Sequence, residues 1–206
     1  MILGAWTGRD VEAREKHIAE LELIGVARPG RVPAFYRIPV DRLTLDDRIE
    51  VVGANTSGEV EVVTFVLDDG IWIGLGSDHT DREVEAYSVS VSKQLCPKPI
   101  AQEVWRLDDI ADHWDRLVLR AHVVTDRGRR VYQEGDVSGL LSPSELATGL
   151  SGGLAALPKG TALFGGTLPV VGEIGHADCF EIEMIDPVAN RTIRHAYQVE
   201  CLPPEG

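Results

Sequence analysis

The sequence predicts an α+β fold built mainly on antiparallel sheet, with a few short helices. Three observations carry that reading. Short β-branched and aromatic runs outnumber helical patterns along the chain. Two Asp-led turns that end in Gly, Asp68-Asp69-Gly70 and Asp126-Arg127-Gly128, each join a pair of such runs. One stretch, Ser142-Pro143-Ser144-Glu145, carries a full set of helix-start signals.

In chain order, Thr7 to Ile24 reads as a helix. Thr7 serves as its cap, Val11, Ile18 and Leu21 recur at helical spacing, and Gly25 stops it. The Pro- and Gly-rich stretch Ala27 to Pro33 reads as a loop. Strands follow at Arg48–Val52, Glu59–Val66 and Ile71–Leu75. Thr80-x-x-Glu83 reads as a capping box for a helix carrying Val84, Tyr87, Val91 and Leu95, although Tyr87 to Val91 also alternates like a strand. Asp108 to Leu117 reads as a short helix, and Val118–Val124 with Arg129–Gln133 as a hairpin. After the helix that Ser142 starts, strands are expected at Thr161–Phe164, Phe180–Ile185 and Thr192–Glu200.

Composition narrows the function classes. The 206 residues suit one domain with a small appended arm, and 44% hydrophobic with 26% charged residues is an ordinary globular balance. Lys plus Arg is 20 and Asp plus Glu is 33, a formal net charge of −13. Such a chain repels phosphate backbones and anionic lipid, so neither nucleic acid nor membrane is an expected partner. An anionic substrate must then be met by local positive charge or a metal. Met1 to Asp10 lacks the basic and apolar regions of a secretion signal, and no apolar run approaches the ~20 residues of a membrane span. Cys96, Cys179 and Cys201 form no C-x-x-C pair, which argues against a disulfide framework and for a reducing cytoplasm.

Several groups can carry chemistry. Glu59 and Glu61 point to one face of their strand, because side chains alternate there. Two carboxylates held so close repel, and a hard divalent cation such as Mg²⁺ or Mn²⁺ removes the conflict. The plainer reading is a solvated strand face. Asp78 ends the neighbouring strand, in Gly74-Leu75-Gly76-Ser77-Asp78, and is placed either to complete a three-carboxylate site or to cap the next helix. His17 and Glu20 share one helical face, as an oriented base or as a solvent-facing pair. Arg82, Lys93 and Lys98 supply positive charge near Asp78. Gly165-Gly166-Thr167 is a small-residue turn able to bind a carboxylate, or a plain turn. Cys96 has no context that lowers its pKa.

The order His-x-x-Glu, Glu-x-Glu, Gly-x-x-x-Asp-x-x-x-Arg, Lys, Gln-x-Gly, Gly-Thr-x-Pro resembles the fumarylacetoacetate hydrolase superfamily, and within it the DUF2848 family, from His17 to Glu200. The resemblance implies a mixed, mostly antiparallel β-sandwich roll of the fumarylacetoacetase C-terminal type over residues 34–206, behind an N-terminal helical lid over residues 1–33. It implies Glu59, Glu61 and Asp78 as ligands of Mg²⁺ or Mn²⁺. His17, Glu20 and Lys93 then become catalytic residues, and Arg82, Gln133 and Thr167 substrate-binding ones. The implied activity is hydrolysis or decarboxylation of C–C bonds in small 2-oxo or β-diketo acids through a metal-bound enolate, by a cytoplasmic homodimer. Hydration of 2-oxo-enoates on the same site is the alternative, and a non-catalytic ligand-binding protein another. The chain departs from the family pattern in the short spacing from Glu61 to Asp78, in Ser77 where an Asn is usual, in the short Lys93 to Cys96-Pro97 interval, and in Leu168 interrupting Gly-Thr-Pro.

Overall fold

A computed structural model describes residues 1–23 and 28–203, without the side chains of His17, Glu20 and Leu21. The first half of the chain runs β1 (Ile2–Ala5), α1 (Val11–Leu23), β2 (Ala34–Arg37), β3 (Leu43–Thr44), β4 (Arg48–Val52), β5 (Thr56–Ser57), β6 (Val60–Leu67) and β7 (Gly70–Ser77). It continues with β8 (Thr80–Asp81), α2 (Arg82–Tyr87), α3 (Val89–Leu95) and β9 (Lys98–Arg106). The second half adds β10 (Val118–Thr125), β11 (Gly128–Asp136), α4 (Pro143–Ser151), β12 (Thr161–Thr167), β13 (Cys179–Asp186) and β14 (Arg191–Leu202). No described helix is long and apolar enough to cross a membrane.

Two large sheets pack face to face. One has the order β2-β1-β12-β6-β7-β9-β3 and the other β11-β10-β13-β14-β4, while β5 and β8 form a two-stranded ribbon. Most pairings are antiparallel, as expected, but β1–β12, β14–β4 and β3–β9 are parallel. Strand β13 alternates strictly between buried and half-buried positions, so one of its faces meets the core. Strand β6 is buried almost continuously, because both of its faces are covered. Val60 and Val62 join the core between the sheets with Leu119, Phe180 and Ile182. On the reverse face Val63 packs with Leu3, Ile100 and Phe164. A charged side chain on that reverse face of β6 therefore lies in the protein interior and not in solvent.

Both Asp-led hairpins form as expected, with Leu67 paired to Gly70 and Thr125 to Gly128. Other expectations are corrected. The cap of α1 is Asp10, whose Oδ1 accepts from the Ala13 amide at 3.0 Å; Thr7 is buried, and its carbonyl accepts from Leu141. Thr80 lies in β8, and Asp81 caps the helix that follows by accepting from the amides of Glu83 and Val84. That helix is two helices, because Ser88 adopts an extended backbone and caps the second. Residues 108–117 form short 3₁₀ turns. Strand β1 sits between β2 and β12, so the segment read as a separate arm contributes a strand to the main sheet before α1 begins. Strands β1, β2 and β9 escape sequence reading because they are short or non-alternating and are defined by long-range partners.

The expected capping box at Ser142 is complete: its hydroxyl accepts from the Glu145 amide, and the Glu145 carboxylate accepts from the Ser142 amide. Replacing Ser142 with Ala is expected to lower stability by about 1 kcal/mol, read as a reduced denaturant midpoint at unchanged slope. The β13–β14 turn is closed by Asp186, which accepts from Val188 N and Ala189 N at 3.0 Å each and from Arg191 Nε at 3.1 Å, with His113 Nε2 3.0 Å away. Burial opposes its charge, but these donors hold its carboxyl below the ordinary value of 3.8. A depressed carboxyl stabilises the fold above its ordinary pKa and loses that contribution as pH falls through the folded one. The stability difference between wild type and Asp186→Asn is therefore expected to be largest near neutrality and to shrink below pH 3.8 in denaturant titrations across pH.

Candidate metal centre

The hairpin of β6 and β7 brings the three sequence-predicted carboxylates together. Glu61 lies opposite Gly76 in the ladder, and the Asp78 amide donates to the Glu59 carbonyl at 2.9 Å. One carboxylate oxygen from each of Glu59, Glu61 and Asp78 lies within 4.8 Å of the others. Glu61 is 2% exposed, which excludes the solvated-face reading for it, and Asp78 is 1% exposed. Asp78 caps no helix. Its Oδ2 accepts from Lys93 Nζ at 2.5 Å, and its Oδ1 lies 3.3 Å from Lys98 Nζ.

Backbone irregularities aim the neighbouring groups. The β12–β6 register shifts between Phe164 and Thr167, and the bulge turns the Gly166 amide onto Glu61 Oε2 at 2.8 Å. Gly166 has φ +88°, and a Cβ there would fall 1.9 Å from Thr7 Oγ1, so no side chain fits. Helix α3 presents Ser92 and Lys93 inward and leaves Val91 and Leu95 41% and 47% exposed, the reverse of an ordinary amphipathic helix. The attraction between Lys93 and the buried carboxylates decides which face is covered.

The cations are distributed unevenly. Arg82 donates to Glu59 Oε1 at 3.0 Å, to Glu85 Oε2 at 2.8 Å and to Ser57 Oγ at 2.6 Å. Lys93 Nζ also donates to Glu59 Oε2 at 3.3 Å. Burial disfavours the Glu59 anion, yet Lys93 and Arg82 outweigh it and hold its carboxyl down at about 2. Glu61 behaves in the opposite way: burial, then the charges of Asp78 and Glu59, push its carboxyl well above the ordinary value. Glu61 is thus a buried acid in want of a cation. An all-carboxylate donor set with one under-compensated member fits a hard divalent ion.

A family model described as "Protein of unknown function (DUF2848)" matches residues 4–197. The chain belongs to the DUF2848 family. No match is found among curated proteins. Among solved structures, yeast ynq8, a fumarylacetoacetate hydrolase family protein, is 17% identical over 82% of the DUF2848 chain and 87% of its own, with a TM-score of 0.65. A 2-keto-3-deoxy-D-arabinonate dehydratase complexed with magnesium and 2,5-dioxopentanoate is 18% identical over 98% and 73%, with a TM-score of 0.65. Cg1458 with inhibitor is 14% identical over 98% and 76%, with a TM-score of 0.69. At these identities the likeness is one of fold, and the fold of the DUF2848 chain is that of fumarylacetoacetate hydrolase family proteins.

The remaining sequence-predicted residues fall into two groups. His17 and Glu20 lie on α1, and their side chains are outside the described residues. Gln133 and Thr167 adjoin the carboxylates but are spent on the protein itself. Gln133 is fully buried, accepts from Val60 N at 2.9 Å, and donates to Thr167 Oγ1 at 2.7 Å and to Leu168 O at 2.5 Å. The Thr167 hydroxyl donates to Val60 O at 2.7 Å, which leaves no donor for a substrate carboxylate. The pair brackets the start of β6.

Sequence reading missed the support beneath Glu59. Ser77 Oγ accepts from the Glu59 amide at 3.1 Å and meets Tyr197 Oη at 2.8 Å. Tyr197 Oη in turn lies 3.1 Å from His79 Nδ1, and His79 Nε2 lies 2.9 Å from Thr56 Oγ1. Burial, with Lys98 and Arg82 nearby, keeps His79 neutral by lowering its pKa well below the ordinary value. The one sequence signal was His79 beside Asp78; Tyr197 is far away in the chain and carries none. Cys96 is buried, and its thiol is pushed up to about 11, so it is no thiolate nucleophile. Gln133→Leu preserves volume but strips the Val60 amide and the Leu168 carbonyl of partners. A loss of about 3 kcal/mol in denaturant stability is expected, whereas a purely substrate-binding Gln133 would leave stability near wild type.

Proposed function

We propose that this protein is a divalent-metal-dependent enzyme that cleaves carbon–carbon bonds of small 2-oxo or β-diketo acids, as a hydrolase or decarboxylase. The convergence of Glu59, Glu61 and Asp78 inside the β-roll carries the reading. These three carboxylates are the residues proposed to hold the ion, with Mg²⁺ or Mn²⁺ the metals that suit hard oxygen donors. When bound, the ion supplies Lewis acidity toward substrate oxygens. Lys93 keeps an ammonium at the edge of the cluster and offsets negative charge that develops on the substrate. Arg82, anchored by Glu59 and Glu85, adds the positive field that draws a small anion to a chain of net charge −13. His17, with Glu20 to orient it, moves the proton or activates water. Helix α1 follows a strand of the main sheet closely, and Trp6 between them has φ 52°, a left-handed backbone at the root of the proposed lid. Within residues 1–33 the proposed lid is α1, while β1 is built into the sheet of the catalytic body, residues 34–206, which works as a homodimer in the cytoplasm.

A second reading, hydration or dehydration at a C–O bond, draws its support from the likeness to the 2-keto-3-deoxy-D-arabinonate dehydratase. Acylpyruvates, oxaloacetate, 2-oxo-enoates and 2-keto-3-deoxy acids, assayed with and without EDTA, separate the cases. Turnover is expected to fall more than about a hundredfold in EDTA and to return with Mg²⁺ or Mn²⁺; product analysis tells C–C from C–O chemistry. Turnover unaffected by EDTA rules the metal reading out. His17→Ala is expected to lower kcat by about 10²–10⁴ with Mn²⁺ affinity unchanged. If the protein is instead a non-catalytic binder, no substrate of the panel turns over and His17→Ala has no rate to lower.

A further inference from the structure

The two buried lysines beside Asp78 are held in different ways. Lys98, 0% exposed and in β9, donates to the His79 carbonyl at 2.5 Å and the Cys96 carbonyl at 3.0 Å, besides facing Asp78 Oδ1. Those carbonyls are fixed backbone, so its position does not depend on the carboxylates. The described partners of Lys93 are carboxylate oxygens alone: Asp78 Oδ2 at 2.5 Å and Glu59 Oε2 at 3.3 Å. Both belong to the three-carboxylate cluster. Lys93 is buried on the inner face of the short helix α3, and it has no backbone carbonyl among its described partners to fix its ammonium.

Charge counting sharpens the contrast. The ion pairs reach two of the three carboxylates: Arg82 and Lys93 meet Glu59, Lys93 and Lys98 meet Asp78, and Glu61 has no described cation. A divalent ion that takes oxygens of Glu59 and Asp78 must displace a cation already paired with them, because like charges repel at such short range. Arg82 keeps Glu85 and Ser57, and Lys98 keeps two carbonyls. Lys93 is the cation with least to hold it.

We infer that Lys93 is an exchangeable internal counter-cation: a divalent ion competes with its ammonium for Asp78 and Glu59, and binding releases Lys93 toward the space where an anionic substrate docks, while Lys98 stays as the fixed support of Asp78. This rests on the metal reading above. It makes Lys93 an antagonist of the ion and a partner of the substrate, so charge enters the site in sequence.

The test is calorimetric titration of the EDTA-stripped full chain with Mn²⁺. Lys93→Met is expected to bind at least about tenfold more tightly than wild type, since its carboxylates need no release, a gain of about 1.4 kcal/mol. Wild-type binding with equal or weaker binding by Lys93→Met overturns the inference and leaves the metal reading standing. Failure of both proteins to bind Mn²⁺ overturns the metal reading itself. A second measurement needs no variant: amine-reagent labelling followed by mass spectrometry, with and without saturating Mg²⁺. Lys93 labelling is expected to rise at least about fivefold, with Lys98 unchanged. Unchanged Lys93 labelling under saturating ion also overturns the inference.

Discussion

Everything distinctive in this molecule follows from placing three carboxylates, Glu61 and Asp78 buried and Glu59 half-buried, within 4.8 Å of one another at the end of the β6–β7 hairpin. Isolated charges in such a place are strongly disfavoured, so the surroundings must supply cations or the acids must stay protonated. The protein supplies those cations unequally. Arg82 and Lys93 keep Glu59 ionised, and Lys93 and Lys98 attend Asp78. Glu61 is left with the Gly166 amide as its described partner and a raised pKa. That unequal treatment distinguishes a prospective ion site from a structural salt-bridge cluster, in which each acid would have its own base.

The scaffold makes this arrangement rigid at several levels. Both faces of β6 are packed, so Glu61 cannot turn to solvent. The bulge in β12 supplies an amide, Gln133 ties the start of β6 to the turn after β12, and the His79–Tyr197–Ser77 chain props the Glu59 backbone from the second sheet. These polar groups satisfy one another, and the network therefore adds order without leaving orphaned donors. The ribbon of β5 and β8 closes the segment just beyond Asp78 and hands the chain to α2, where Arg82 is already beside Glu59.

Relation to the fumarylacetoacetate hydrolase family proteins is one of fold, at 14–18% identity for the three structures compared. Within that fold the chain builds its own arrangement: the carboxylate hairpin of Glu59, Glu61 and Asp78, with the Thr167 hydroxyl turned onto the Val60 carbonyl.

By itself the sequence determined the local features whose physics is local. The two-residue period placed Glu59 and Glu61 on one face, Asp-led turns ending in Gly closed both hairpins, and the Ser142 capping box started α4. Adjacency across the short β6–β7 turn was enough to bring Asp78 to the glutamates. Tertiary structure alone decided burial, pairing and the choice of partner. An alternating strand does not reveal that its charged face will be covered, an amphipathic pattern at Val91 and Leu95 does not reveal that Lys93 will be drawn inward, and a Gln near a turn does not reveal that it will bond three segments at once. Those outcomes depend on contacts between residues distant in the chain, such as Tyr197 with Ser77 or Glu61 with Gly166, and only the closed fold brings such groups within hydrogen-bonding reach.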